Sequence, residues 1–429
     1  MLGLIFGVFF GTLLIGIPIG VAIGFTCILI SMAVPTVTVS LEYMFRNMVM
    51  ALDSFVLLAV PLFILSGNLM AEGGISDRLY GFFSYFIGNT TGGMPNTAIV
   101  TCLFYGAISG SAPATVAAVG AMCIPVLVNL GYSKKFVVGM VATAGGLGVI
   151  IPPSIPFVMY GLSSTESVGD LFIAGIIPGL IIGAIMMTYT YFYCKKVGED
   201  KEKLEANFRK IRSGGFWNCF KNSFLALLCP VIILGGIYTG VFTPTEAADV
   251  SVIYALIVSV LIYRTMKPWD IVKIALSSLK TIGPIFLICS TATVFGRMLT
   301  LMNVPQDLAE SVMAAFNSKV PLLLIINVFL LFVGMVMDTL AAILILTPIL
   351  LPLVKAFGVN AIHFGVIMTV NLAIGFVTPP VGVNLYVASS IGNVSVIDVA
   401  KHALPYIICF LFALLAITFI PWLSNCIVS

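Results

Sequence analysis

GGLGVIIPPSIP at residues 145–156 and NLAIGFVTPPVG at residues 371–382 each place a double proline inside a long apolar run. Proline has no N–H to donate and its ring clashes with the preceding turn, so carbonyls four residues earlier lose their partners. In hydrocarbon such carbonyls are tolerated only beside protein, a cavity or a bound ion. One such break reads as an ordinary kink. Two at corresponding positions read as discontinuous spans that hold a substrate or coupling ion near the bilayer midplane.

Composition sets the solvent. Of 429 residues, 60% are hydrophobic and 9% are charged, with a mean hydropathy of +1.16. A soluble domain carries about 25% charged residues. A bilayer core is crossed by about 20 apolar residues, so the length gives room for about ten to twelve helical passages. The unbroken runs exclude an outer-membrane barrel. A net charge of +3, scattered along the chain, excludes nucleic-acid binding. The nine cysteines form no CxxC pair and read as small buried hydrophobes. Two histidines, His363 and His402, leave almost no material for a metal cluster or a hydrolase centre, and no nucleophile–base set is visible, so an enzyme is not expected. The opening run lacks a basic leader and reads as a retained first span.

Reading apolar runs against breakers gives frame helices over 2–71 (spans near 2–33 and 49–71), an amphipathic arm at 75–88, a broken apolar region at 96–130 and a Pro-broken helix at 135–164. A span at 169–193 completes a first unit, 1–194. The polar stretch 195–221 reads as a cytoplasmic linker. The second unit, 222–429, offers spans near 219–241, 245–263, 281–301 and 403–424, an arm at 305–316, a broken region at 319–356 and a Pro-broken helix at 361–391. Each half of a broken region is too short to cross alone, so both read as re-entrant hairpins, with tips SGSAPAT at 109–115 and GMVMDT at 334–339.

A shift of 227 residues superimposes the two units: Ser111 falls on Asp338, Gly148 on Gly375, Pro152-Pro153 on Pro379-Pro380, and Ser163 on Ser390. Four prolines coincide between segments 111–178 and 338–405, where random placement gives about half a coincidence. With the amino terminus inside, 16 Lys and Arg face the cytoplasm and 4 (Arg46, Arg297, Lys319 and Lys355) do not, in the direction of the positive-inside rule. The repeats are then inverted, the carboxyl terminus is periplasmic, and the hairpin tips meet near the midplane. The expected fold is an all-α polytopic membrane protein with inverted repeats, two re-entrant helical hairpins and two Pro-broken helices. Its hairpins and broken spans would move as one body past a static frame, an elevator-type transporter.

Hydroxyl and carbonyl oxygens are hard ligands, so each hairpin tip facing its double-Pro break is a candidate Na⁺ site. The first would use Ser109 and Ser111 with Gly145, Gly148, Val149 and Pro152. The second would use Gly334, Met337 and Asp338 with Gly375 and Thr378. Asp338 lies about 20 residues from either end of its hairpin, where an ionised carboxylate costs at least about 2.5–3.5 kcal/mol. It reads as an ion or substrate ligand and equally as the N-cap of the following helix. Ser111, Ser163, Asp338 and Asn384 are the candidate substrate contacts, with ordinary helix-contact polarity the other reading of Ser163 and Asn384. Arg297 reads first as snorkelling to the interface, and otherwise as an anion contact.

GAISGSAPATVAAVGAMCIPV, GLGVIIPPSIPFVMYG and VGMVMDTLAAILILTPILLP, in this order, resemble the large membrane subunit of tripartite ATP-independent periplasmic (TRAP) transporters, the DctM family. The resemblance covers essentially the whole chain. Dicarboxylate/Na⁺ symporters of the same superfamily share the double hairpin but typically carry Ser-Asn-Thr tips, where this chain has Ser-Gly-Ser and Met-Asp-Thr. The resemblance implies a Na⁺-driven importer of an organic acid, with about two coupling ions, in the bacterial inner membrane. It also implies a small four-helix membrane subunit, here expected as a separate chain, and a periplasmic substrate-binding protein. C4-dicarboxylates and sialic acid are the substrates it suggests, with the sialic-acid branch favoured. The alternative is a stand-alone divalent-anion/Na⁺ symporter needing no binding protein.

Overall fold

A computed structural model describes residues 2–33, 39–315 and 318–428, and among them every regular element is helical. The first expected span is two helices, α1 (Leu2–Leu14) and α2 (Ile19–Ala33). They part where Gly16 takes a left-handed φ of +89° and Pro18 cannot donate a hydrogen bond. The next span is bent as well: α3 (Leu41–Leu52), capped by the Ser40 hydroxyl, meets the helical segment that continues into α4 (Ala59–Glu72) at 61°. The first arm is α5 (Ile75–Ile87), which buries Ile75, Leu79 and Tyr80.

Two helices, α6 (Gly93–Ser109) and α7 (Ala112–Asn129), form the first hairpin, turning at Gly110 with φ +59°. The broken helix follows as α8 (Lys134–Ala144), a 3₁₀ segment at Gly145–Val149, and α9 (Ile155–Ser164), which Ser154 caps by accepting from the Phe157 N–H. Then comes α10 (Val168–Val197), a single helix of 30 residues.

The stretch expected as a linker is itself largely helical. It holds the end of α10, the whole of α11 (Lys201–Arg212), which buries no residue, and the start of α12 (Gly215–Tyr238). Glu199, between α10 and α11, ties this stretch down. Its Oε1 accepts from the Gly92 N–H at 3.0 Å and from the Tyr132 hydroxyl at 2.5 Å. Burial and the adjacent carboxylate both raise the Tyr132 pKa, so the phenol remains the donor. Glu199→Ala is therefore expected to cost about 1.5–3 kcal/mol, read as a lower thermal unfolding midpoint of the purified chain; an unchanged midpoint would contradict the latch.

The second half begins with α13 (Pro244–Leu256), opened by a Thr243–Glu246 capping box. Next is α14 (Pro268–Leu301), whose 34 residues start well before the span expected at 281–301. The second arm is α15 (Val304–Ala315). The second hairpin is α16 (Lys319–Val336) with α17 (Thr339–Ala356), and the second broken helix is α18 (Ala361–Gly375) with α19 (Val383–Gly392). The chain closes with α20 (Val396–Phe419) and the short α21 (Trp422–Asn425). Among the described residues eight helices are long and apolar enough to cross a bilayer, or nine if the bent α3–α4 pair is one span; three of the eight are the hairpin halves α7, α16 and α17, which at 18 residues reach a spanning length that the sequence reading did not expect of them. The total is below the expected number because α1, α2 and the pieces of the broken helices are individually too short.

The interior lies among the hairpins and broken helices. The Tyr160 hydroxyl of α9 donates to the Ala361 carbonyl of α18 at 2.6 Å, joining the two halves. Asn371 of α18 donates to Asn327 of α16 at 2.8 Å, and Asn327 donates to Thr418 of α20 at 3.1 Å. Such buried polar chains fix the second hairpin to its broken helix, since parting them would strand polar groups in an apolar medium. Seven of the nine cysteines are buried, leaving Cys219 and Cys426 partly exposed.

Candidate functional site

Glycines let each hairpin approach the broken helix of its own half. A Cβ on Gly106 of α6 would stand 2.7 Å from the Gly148 Cα. A Cβ on Gly375, at the end of α18, would stand 2.3 Å from the Gly334 carbonyl carbon of α16. Only residues without side chains fit two backbones this close. Each contact is accompanied by one backbone hydrogen bond near a tip: the Ile155 N–H donates to the Gly110 carbonyl at 3.3 Å, and the Val381 N–H to the Met335 carbonyl at 3.2 Å. Pro152-Pro153 and Pro379-Pro380 are both cis.

At the first tip, oxygens gather. Ser109 Oγ lies 3.0 Å from Thr115 Oγ1, which donates to the Ser111 carbonyl at 2.8 Å. A Cβ on Gly148 would stand 2.3 Å from Thr115 Oγ1, so Gly148 keeps this corner open. The donor set is two hydroxyls and a carbonyl around a glycine backbone, which fits a hard cation such as Na⁺. Around it the assignments divide. The Val149 carbonyl already accepts from the Ser154 hydroxyl at 2.5 Å, Gly145 packs against Val116, and Pro152 is buried.

At the second tip, Asp338 caps α17 by accepting from the Leu340 N–H at 2.9 Å, while Met337 ends α16. Thr378 Oγ1 donates to the Ile374 carbonyl at 2.7 Å, and the Thr378 N–H donates to the Gly375 carbonyl at 3.1 Å. Gly334 and Gly375 are in contact, as above.

Both tips open into one cavity of about 500 Å³. Ser109, Ser111 and Asp338 line it, with Val149 and Phe376 from the broken segments and Asn68 from α4. Lys280 of α14 lines it too, exposed; reading the sequence placed it on the cytoplasmic side and did not count it among the site residues. The helices α7 and α17 begin at this cavity, and each N-terminus carries about half a positive charge. No side chain caps α7. One ammonium and two helix N-termini thus share the space with a single carboxylate, which suits an anion that also carries donor groups.

Two expected substrate contacts stand elsewhere. Ser163 lines a separate cavity with Arg297. Asn384 is fully buried, and its Nδ2 donates to the Ala142 carbonyl of α8 at 3.1 Å, so it joins α19 to the first broken helix.

A family model for the tripartite ATP-independent periplasmic transporter DctM component matches residues 6–423. The chain belongs to that family. It is 42% identical over 420 residues to the isethionate TRAP transporter permease protein DctMQ of Oleidesulfovibrio alaskensis, covering 98% of this chain and 65% of that protein. The chain thus spans about two thirds of that relative's length. To the sialic acid TRAP transporter large permease protein SiaM of Vibrio cholerae it is 36% identical over 408 residues, covering 95% of this chain and 93% of that one. The crystal structure of the Alcanivorax borkumensis YdaH transporter aligns with a TM-score of 0.64 at 14% identity, over 90% of this chain and 89% of that one, a likeness of fold. This DctM-family chain is therefore a multi-pass, all-helical membrane protein of a transport system, and the hairpin-tip cavity is its candidate site.

Proposed function

We propose that this chain is the permease subunit of a Na⁺-coupled importer of an organic acid in the bacterial inner membrane. It would work with a small membrane subunit and a periplasmic binding protein that delivers the acid. The observation that carries the reading is the cavity where both hairpin tips, Asp338 and Lys280 meet. In it, Lys280 and the N-terminus of α7 take the anionic group, and Ser111 and Asp338 take hydroxyl or amide groups. Na⁺ occupies the oxygen cluster of Ser109, Ser111 and Thr115 beside Gly148, and a second Na⁺ the tip of Met337 and Asp338 facing Gly375 and Thr378. Bound Na⁺ would neutralise tip oxygens that otherwise face the acid, and so couple the two ligands.

In this reading the hairpins and broken helices, joined by Tyr160, Asn327, Asn371 and Asn384, move as one body past a frame that includes α14. The relatives named for isethionate, C4-dicarboxylates and sialic acid point to a small organic acid, and the sialic-acid branch is one possibility among these. The test is uptake of labelled isethionate, succinate or N-acetylneuraminate into liposomes holding this chain and the small subunit, with and without the binding protein. One acid should enter, and only with the binding protein present. Full-rate uptake by this chain alone would favour the stand-alone symporter.

A further inference from the structure

We infer that a second acid-binding subsite, centred on Arg297, lies beyond the hairpin tips and receives the carboxylate or sulfonate of the transported acid before they do; this rests on the transport reading above. The site is a cavity of about 370 Å³ bounded by Tyr43, Ser163, Thr293, Arg297 and Thr300. Arg297 is an exposed residue lining this cavity, and its guanidinium donates to the Asn47 side-chain oxygen, a neutral acceptor that does not cancel its charge. Among the described residues no carboxylate lies within 4.0 Å of Arg297 or of Lys280. Thr293 and Thr300 donate to carbonyls of their own helix, at 2.8 and 2.9 Å, which leaves oxygen lone pairs for the hydroxyl or amide protons of a ligand. An uncompensated guanidinium in an apolar wall, flanked by acceptors, fits an organic acid carrying donors.

Three helices order this cavity relative to the first. Along α9, Ile155 and Pro156 line the hairpin cavity, and Leu162 and Ser163 line the second. Along α17, Thr339 and Leu340 line the first, and Leu344 and Pro348 the second. Along α14, Lys280 lines the first and Arg297 the second, 17 residues or about 25 Å further on. The cavities therefore lie on one axis, with one cation of α14 in each. The helix α17 packs on both neighbours, and its Pro348 meets Gly296 of α14 at the second cavity. The Lys and Arg distribution puts the Arg297 end outside. A hairpin sliding along α14 would carry the anionic group from Arg297 to Lys280.

The test uses a thiol reporter in the full complex in liposomes. Ser163→Cys is made in a background with Cys219 and Cys426 replaced by Ser, the two cysteines that are not buried. Labelling rates are compared for methanethiosulfonates bearing a sulfonate and a trimethylammonium group, each corrected for its rate with a free thiol. The sulfonate reagent should be favoured about tenfold, a preference lost in Arg297→Gln and kept in Arg297→Lys. The acid that the complex takes up, among isethionate, succinate and N-acetylneuraminate, should slow labelling when Arg297 is present and not in Arg297→Gln. The same preference in Arg297→Gln, or labelling indifferent to a transported acid, would overturn the subsite. Uptake of none of the three acids would count against the transport reading, and the charge preference would then decide the subsite alone.

Discussion

Asp338→Asn should insert and fold normally, yet take up its acid at least tenfold more slowly than the unaltered chain. The side chain does two separable things. It accepts from the Leu340 N–H at 2.9 Å, a cap that an amide oxygen also makes, at a cost of at most about 1 kcal/mol. It also places a carboxylate at the cavity where both tips meet, and there asparagine is a weaker acceptor with no charge. A tenfold loss corresponds to about 1.4 kcal/mol of coupling or binding. Loss of a Na⁺ ligand would lower the apparent Na⁺ affinity, and loss of a substrate contact would lower uptake at saturating Na⁺. Near-normal uptake with unchanged Na⁺ and acid dependence would reduce Asp338 to a cap.

Joining α14 to α17 should abolish transport altogether. A Cβ on Gly296 would stand 3.5 Å from the Pro348 Cβ, at the short end of the range that a disulfide spans. The double variant Gly296→Cys with Pro348→Cys is therefore expected to oxidise within one chain. That bond would pin the second hairpin to the frame helix, with uptake at background when oxidised and recovered on reduction. Transport at full rate by protein shown to be cross-linked would rule out movement of α17 along α14.

What the sequence disclosed followed from residues that no lipid-facing helix tolerates. The double prolines, the glycines at 148 and 375 and the acid at 338 are conspicuous in apolar runs, and the structure packs Gly148 and Gly375 of the broken helices against the hairpins and places Asp338 at a tip. Lys280 escaped because a lysine in hydropathy reading marks the end of a span, whereas α14 starts at Pro268 and carries it inward. The breaks within 2–33 and 49–71 escaped because both flanks are apolar, so only Gly16 and Pro18 signal the first. The roles of Ser163 and Asn384 depend on helix rotation, which hydropathy does not encode. Gly382, left-handed at φ +46°, opens α19, and Asn384 in its first turn donates to the Ala142 carbonyl. Arg297 was visible as a charge, but its cavity requires α3, α9, α14 and α17 to assemble.

Coupling to Na⁺ through the two hairpin tips is decided by uptake in the reconstituted full complex, with an inward Na⁺ gradient or with choline in its place. Two tip sites give uptake that rises more steeply than first order in Na⁺ and falls to background in choline. Equal uptake with choline would contradict the assignment of either tip to Na⁺.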